Sequence, residues 1–136
     1  MSAVERHPKI LVVDDNTTNL KLVSDVLVFD GYDVLAAGDA ESAQEVIRRD
    51  PPDLILMDIA LPGMDGLTFT RLLKTENATR HIVVVALTAF AMKGDDIHAR
   101  EAGCDGYITK PIDTRTIGST VAAYLAGGAG PGAGPR

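Results

Sequence analysis

Ile10-Leu11-Val12-Val13-Asp14-Asp15-Asn16 is four aliphatic residues halted by two carboxylates. Such a short run, bounded by polar residues, predicts a buried strand. Helical apolar spacing follows at Leu20, Val23, Val26 and Leu27, and Gly31 closes it, where a left-handed backbone suits glycine. The same unit then recurs along the chain. Val34–Ala37 predicts a second strand, and Asp39 caps a helix with Ala43, Val46 and Ile47 on one face. Pro51-Pro52 ends that helix. Leu54–Met57 predicts a third strand that stops at Asp58. After it, the loop Leu61–Gly66 leads to a helix with Leu67, Leu72 and Leu73. Ile82–Leu87 predicts a fourth strand ending at Thr88, and Lys93–Ala102 a helix with few large apolar groups. Gly106–Thr109 predicts a fifth strand ending at Lys110-Pro111. Asp113 is expected to cap a last helix that buries Ile117, Val121 and Leu125.

Five βα units in succession imply an α/β fold, a doubly wound five-stranded parallel sheet with five helices. The common strand order for such a sheet is 2-1-3-4-5, with right-handed crossovers. The expected organisation is an N-terminal extension over 1–8, one domain over 9–125, and a flexible tail over 126–136. That tail is Gly, Ala and Pro up to a final Arg136.

Composition narrows the function classes. The chain has 136 residues, with 13 Lys+Arg against 19 Asp+Glu and a net charge of −6. An acidic chain argues against direct nucleic-acid binding, which needs a basic face. A hydrophobic content of 46% argues against intrinsic disorder. The longest aliphatic run is far short of the ~20 residues of a membrane helix, and Met1–Lys9 lacks the apolar stretch of a signal peptide. The expectation is a soluble cytoplasmic domain with no membrane partner. Cys104 is the single cysteine and is expected to be a small buried thiol. His7, His81 and His98 fit no metal spacing.

A parallel sheet puts all carboxyl ends of its strands on one edge. Asp14 and Asp15 arrive there on strand one, Asp58 on strand three, Thr88 on strand four and Lys110 on strand five. With order 2-1-3-4-5, strands one and three meet where the winding reverses, which is where open α/β sheets bind ligands. Three carboxylates and one ammonium make a −2 pocket of hard oxygen ligands, suited to Mg²⁺. Without a metal, like charges should raise at least one carboxylate pKa. A carboxylate there can attack a phosphoryl group while a cation and the lysine neutralise the charge.

Val12-Val13-Asp14-Asp15-Asn16, Leu56-Met57-Asp58-Ile59-Ala60-Leu61-Pro62, Leu87-Thr88-Ala89 and Thr109-Lys110-Pro111 resemble the motifs of receiver domains in bacterial two-component response regulators, the CheY-like superfamily. The resemblance runs from about Lys9 to Leu125. Within it, Ala89–Asp95 and Gly103-Cys104 look like a single-domain cell-cycle regulator. It implies that Asp58 is the phosphoacceptor, that Asp15 ligates Mg²⁺ with Asp14 assisting, and that the Ala60 carbonyl completes the protein ligands. Thr88 and Lys110 would hold the phosphoryl oxygens, and the Lys110-Pro111 peptide would be cis. Tyr107 would be the switch aromatic, and Gly66 would turn the loop after the acceptor. Output is expected at a surface around Tyr107, Phe90 and the last helix.

The resulting expectation is a stand-alone phosphorylation switch, not an enzyme. Its phosphoryl group would come from a histidine kinase or a histidine phosphotransfer protein, and it would bind a downstream protein target as monomer or phosphorylation-dependent dimer. A receiver fragment of a larger regulator is the alternative. A phosphatase with an Asp nucleophile usually wants an acid two residues on to protonate the leaving group, and Ala60 stands there. A flavin carrier would want a phosphate-binding loop where Asp14-Asp15 stand.

Hydrolysis of an acyl phosphate needs an aligned water. By resemblance, Ala60 and Phe90 flank that water's approach, and neither side chain can hydrogen-bond to it. The phosphorylated state is therefore expected to be long-lived. Ala60→Asn with Phe90→Glu should speed its decay about tenfold, which corresponds to ~1.4 kcal/mol of barrier. Decay after donor removal in excess Mg²⁺ measures it, and an unchanged rate contradicts the water argument.

Overall fold

The computed structural model describes residues 7–88 and 95–127. Its elements alternate throughout: β1 (Lys9–Val13), α1 (Thr17–Phe29), β2 (Asp33–Ala37), α2 (Ala40–Arg49), β3 (Leu54–Asp58), α3 (Gly66–Thr75), β4 (Val83–Thr88), α4 (Asp95–Ala102), β5 (Gly106–Thr109) and α5 (Ile117–Leu125). All strand pairings are parallel, and the order is β2-β1-β3-β4-β5. The sheet predicted from the alternation is the sheet observed.

Side chains alternate across each strand, so the sheet has two cores. Leu11, Val13, Ile55, Met57, Val84 and Ala86 face α2, α3 and α4, where Ala43, Ile47, Phe69, Leu73 and Ala99 meet them. Ile10, Val12, Leu54, Leu56, Val85 and Leu87 face α1 and α5, meeting Val23, Leu27, Ile117, Val121 and Tyr124. The central strands β1, β3 and β4 are almost wholly buried, while β2 and β5 lie at the edges and are half-exposed. Unbroken aliphatic runs in the central strands follow from cover on both faces.

Helix starts are set by side-chain caps. Asn16, Asp39 and Asp65 each accept a backbone N–H three residues on, at 2.9, 2.7 and 2.8 Å. Each satisfies a donor that the first helical turn leaves open. Gly31, at φ 99°, supplies the left-handed backbone after α1.

Four local expectations are corrected. Asp113 does not cap α5. Its carboxylate accepts from Arg115 N within a preceding turn, and α5 starts at Ile117 after Thr116, which makes no side-chain cap. Leu72 faces solvent, and Phe69 takes the buried place on α3. Leu125 is only partly buried, and Tyr124 takes the core position on α5. Gly66 does not turn the loop: the positive φ falls on Gly63, and Gly66 is already helical. Of the predicted fourth helix, Asp95–Ala102 is seen, and its first residues lie outside the described ones.

On α1, the Ser24 hydroxyl is buried and has no hydrogen-bond partner among the described residues. An unsatisfied buried polar group costs about 1–3 kcal/mol, and alanine is the better helix former. Ser24→Ala should therefore raise stability by roughly 1 kcal/mol, read as a shift of the urea midpoint at constant m. A lowered midpoint would contradict it.

Candidate functional site

The carboxyl edge of the sheet brings the predicted residues together. Asp14 follows β1, Asp58 ends β3, Thr88 ends β4 and Lys110 follows β5. Register fixes their neighbourhood: Val13 pairs with Met57, Asp58 with Leu87, and Thr88 with Thr109. Asp14, Asp58 and Thr88 are buried, at 2%, 3% and 3% exposure. Asp15 lies exposed at the rim. One oxygen from each of Asp14, Asp15 and Asp58 can be chosen so that the three lie within 4.8 Å of one another.

The two buried carboxylates are held in the same way. Each gives Oδ1 to a backbone N–H two residues on: Asn16 N donates to Asp14 at 2.9 Å, and Ala60 N to Asp58 at 2.9 Å. Each turns Oδ2 to the Lys110 ammonium, at 3.3 Å for Asp14 and 3.0 Å for Asp58. Lys110 is thus shared between two strands' acids. The Ala60 N–H is a contact that the sequence reading missed. The signal for it was an Asp opening a turn, where the side chain commonly bonds the backbone two residues on.

Electrostatics follow from this crowding. Burial pushes the Asp14 carboxyl above the usual carboxylate range, and the neighbouring Asp58 adds to it, against the Asn16 N–H and Lys110. Burial works against the Lys110 ammonium, yet the hydrogen bond and charge of Asp58, with the charge of Asp14, hold its pKa above the ordinary lysine value. Oxygen-only donors, a net −2 charge and one solvent-facing carboxylate fit a divalent cation that keeps part of its water shell. The structure thus offers a place for a metal ion.

Tyr107 is half-buried on β5, opposite Ala86 of β4, and packs against the core on the α4 side. The Lys110-Pro111 peptide is cis. Phe90 lies outside the described residues. Cys104 is buried, with its Sγ 3.9 Å from the Thr70 hydroxyl, and burial pushes its thiol to about 11. His7, His81 and His98 are all exposed and scattered. Among the described residues, no helix is long and apolar enough to cross a membrane.

Comparison with known proteins agrees with this geometry. The model of the response regulator receiver domain matches residues 10–122. The chain is 43% identical over 116 residues to the polar-differentiation response regulator DivK of Brucella anthropi, covering 85% of this chain and 94% of that protein. The DivK of Brucella abortus matches to the same extent. Among solved structures, a CheY-like receiver domain protein from Methanospirillum hungatei superposes with a TM-score of 0.82 at 28% identity, covering 90% of this chain and 96% of that one. The chemotaxis response regulator CheY4 of Vibrio cholerae gives 0.81 at 25% identity, over 86% and 98%.

Because its pKa is raised, Asp14 holds its proton more tightly in the folded state. Stability from this group is present below the ordinary carboxylate pKa and is lost as pH rises through the higher folded value. Asp14→Asn should therefore melt higher than the parent at pH 7 in EDTA. It should gain less from Mg²⁺, where the parent gains about 2.7 kcal/mol at 100 times its Kd. Paired thermal melts with and without Mg²⁺ measure both, and a variant that melts lower in EDTA contradicts the argument.

Proposed function

The chain belongs to the response regulator receiver domain family, and from that premise we propose that Asp58 is its phosphoacceptor, working with Mg²⁺. The observation that carries the proposal is the shared lysine. One ammonium binds Asp58 and Asp14 while a third carboxylate stands at the rim. Asp14, Asp15 and Asp58, with the Ala60 carbonyl, would hold Mg²⁺, which supplies charge neutralisation at the phosphoryl oxygens.

In the transfer, a carboxylate oxygen of Asp58 forms a bond to phosphorus as the donor's N–P bond breaks. The donor imidazole leaves with the electron pair of that bond, and the acyl phosphate stays on Asp58. Burial excludes bulk water from Asp58, and Ala60 N–H holds Oδ1 in one orientation. Lys110 already sits 3.0 Å from Oδ2 and can follow the charge onto the phosphoryl group. Thr88, on the neighbouring strand end, presents a hydroxyl to a phosphoryl oxygen.

The donor would be a histidine kinase or a histidine phosphotransfer protein. A groove of about 370 Å³ beside Lys110 supports a docking place for it, lined by Asn19, Leu22, Val23, Pro111 and Ile112. Leu22 is 48% exposed there. The acyl phosphate carries about −2 where the carboxylate carried −1, so phosphorylation makes the carboxyl end of β3 more negative and adds phosphoryl oxygens there. Thr88 would follow that charge, and Tyr107 would move with it. The changed surface around Tyr107, Phe90 and α5 would then bind a downstream protein in the cytoplasm.

Acetyl phosphate with Mg²⁺ should add one phosphoryl group by intact mass, and Asp58→Ala should add none. Thr88→Ala should still be labelled, yet its phosphorylated form should gain little affinity for the partner. Label persisting in Asp58→Ala would contradict the assignment of the acceptor, and a full affinity gain in Thr88→Ala that of the switch.

A further inference from the structure

Gly66 is the first residue of α3, after the Asp65 cap. Its backbone has no positive φ, so conformational freedom does not explain the glycine. Space does. A Cβ at this position would lie 2.2 Å from the Asp58 carbonyl oxygen, 2.8 Å from Ile59 Cα and 3.0 Å from the Asp58 carbonyl carbon. All three are backbone atoms, so no flexible side chain can give way. Gly66 N also donates to Ile59 O at 3.2 Å, and Ile59 N donates to Leu87 O on β4 at 3.2 Å. The peptide that follows Asp58 is therefore fixed between β4 and the first turn of α3.

The same short segment sets the acceptor carboxylate. Ala60 N–H, two residues on, holds Asp58 Oδ1 at 2.9 Å. The charged partners of the site, Asp14, Asp15 and Lys110, come instead from the ends of β1 and β5. We propose that Gly66 is a positioning residue for phosphoryl transfer: it lets α3 press on the Asp58–Ile59 peptide and so sets where the carboxylate meets Asp14 and Lys110. The inference rests on Asp58 being the acceptor. A methyl group at position 66 must displace that peptide or lift the helix from it. A displacement near 1 Å at a reacting group can cost about 100-fold in rate.

The test compares Gly66→Ala with Thr70→Val in the full chain. Thr70 is buried on the same helix, and its hydroxyl donates to the Gly66 carbonyl at 2.8 Å, so its loss disturbs the first turn of α3 without adding an atom against the Asp58 carbonyl. Both variants should lose stability through α3. Initial rates of labelling by acetyl phosphate at saturating Mg²⁺ are read by intact mass, and Mg²⁺ affinity by calorimetry, at a temperature where circular dichroism shows both folded. Gly66→Ala should be labelled about 30- to 100-fold more slowly and bind Mg²⁺ more weakly. Thr70→Val should stay within about threefold of the parent, a limit set against the same geometric argument. A Gly66→Ala rate equal to the parent's overturns the proposal. So does an equal rate loss in Thr70→Val, or a Gly66→Ala chain with no cooperative melt, since each assigns the glycine to folding alone. Failure of the acceptor assignment reads differently: the parent takes no label, or Asp58→Ala keeps it.

Discussion

Two carboxylates buried side by side at the end of a sheet repel each other and lose their hydration, and the Lys110 ammonium offsets both costs at once. Its stem comes from just past β5, the far end of the sheet order, and its charge reaches acids at the ends of β1 and β3. Each acid is further held by one backbone N–H from its own turn. The Asp14 and Asp58 carboxylates are thus held by contacts local to their own strand ends and by this one lysine. The remaining disfavour falls on Asp14, whose carboxyl stays above its ordinary range. A site that holds unrelieved negative charge is poised to accept a cation, which is what the proposed metal-assisted transfer would use.

The scaffold around the site is uneven, and the unevenness has a physical origin. β1, β3 and β4 are covered on both faces, so the acids sit on rigid strands. On α4, by contrast, the buried side chains among those described are the small Ala99 and Ala102, and Ile97 is 52% exposed. The turn that follows it is anchored through Asp105. Lys74 donates to the carbonyls of Arg80 and Ile82 and to Asp105, which also accepts from Val84 N. Small apolar groups bury little area, so the helix beside Tyr107 is held less by packing than its neighbours. Firmly held carboxylates next to a lightly packed helix suit the proposed division between chemistry at one place and shape change at another.

Sequence patterning by itself determined the five βα units, the strand order and the polar residues at four of the five strand ends. These are local or topological properties: aliphatic runs, punctuation by Pro, Gly and Asp, and the rule that parallel strands finish on one edge. Identities at Asp14, Asp15, Asp58, Thr88 and Lys110 were legible for the same reason. Tertiary structure alone decided which oxygen meets which donor, because Asp58 and Lys110 lie 52 positions apart and meet only once β3, β4 and β5 have paired. It also decided that Phe69, not Leu72, fills the core from α3, and that Tyr124 is buried more fully than Leu125 on α5, since the phase of a helix face depends on the sheet beneath it. Gly66 belongs to this second group. A glycine in a loop motif reads as a turn, and only the backbone of Asp58 lying against it shows that what the position requires is the absence of a side chain.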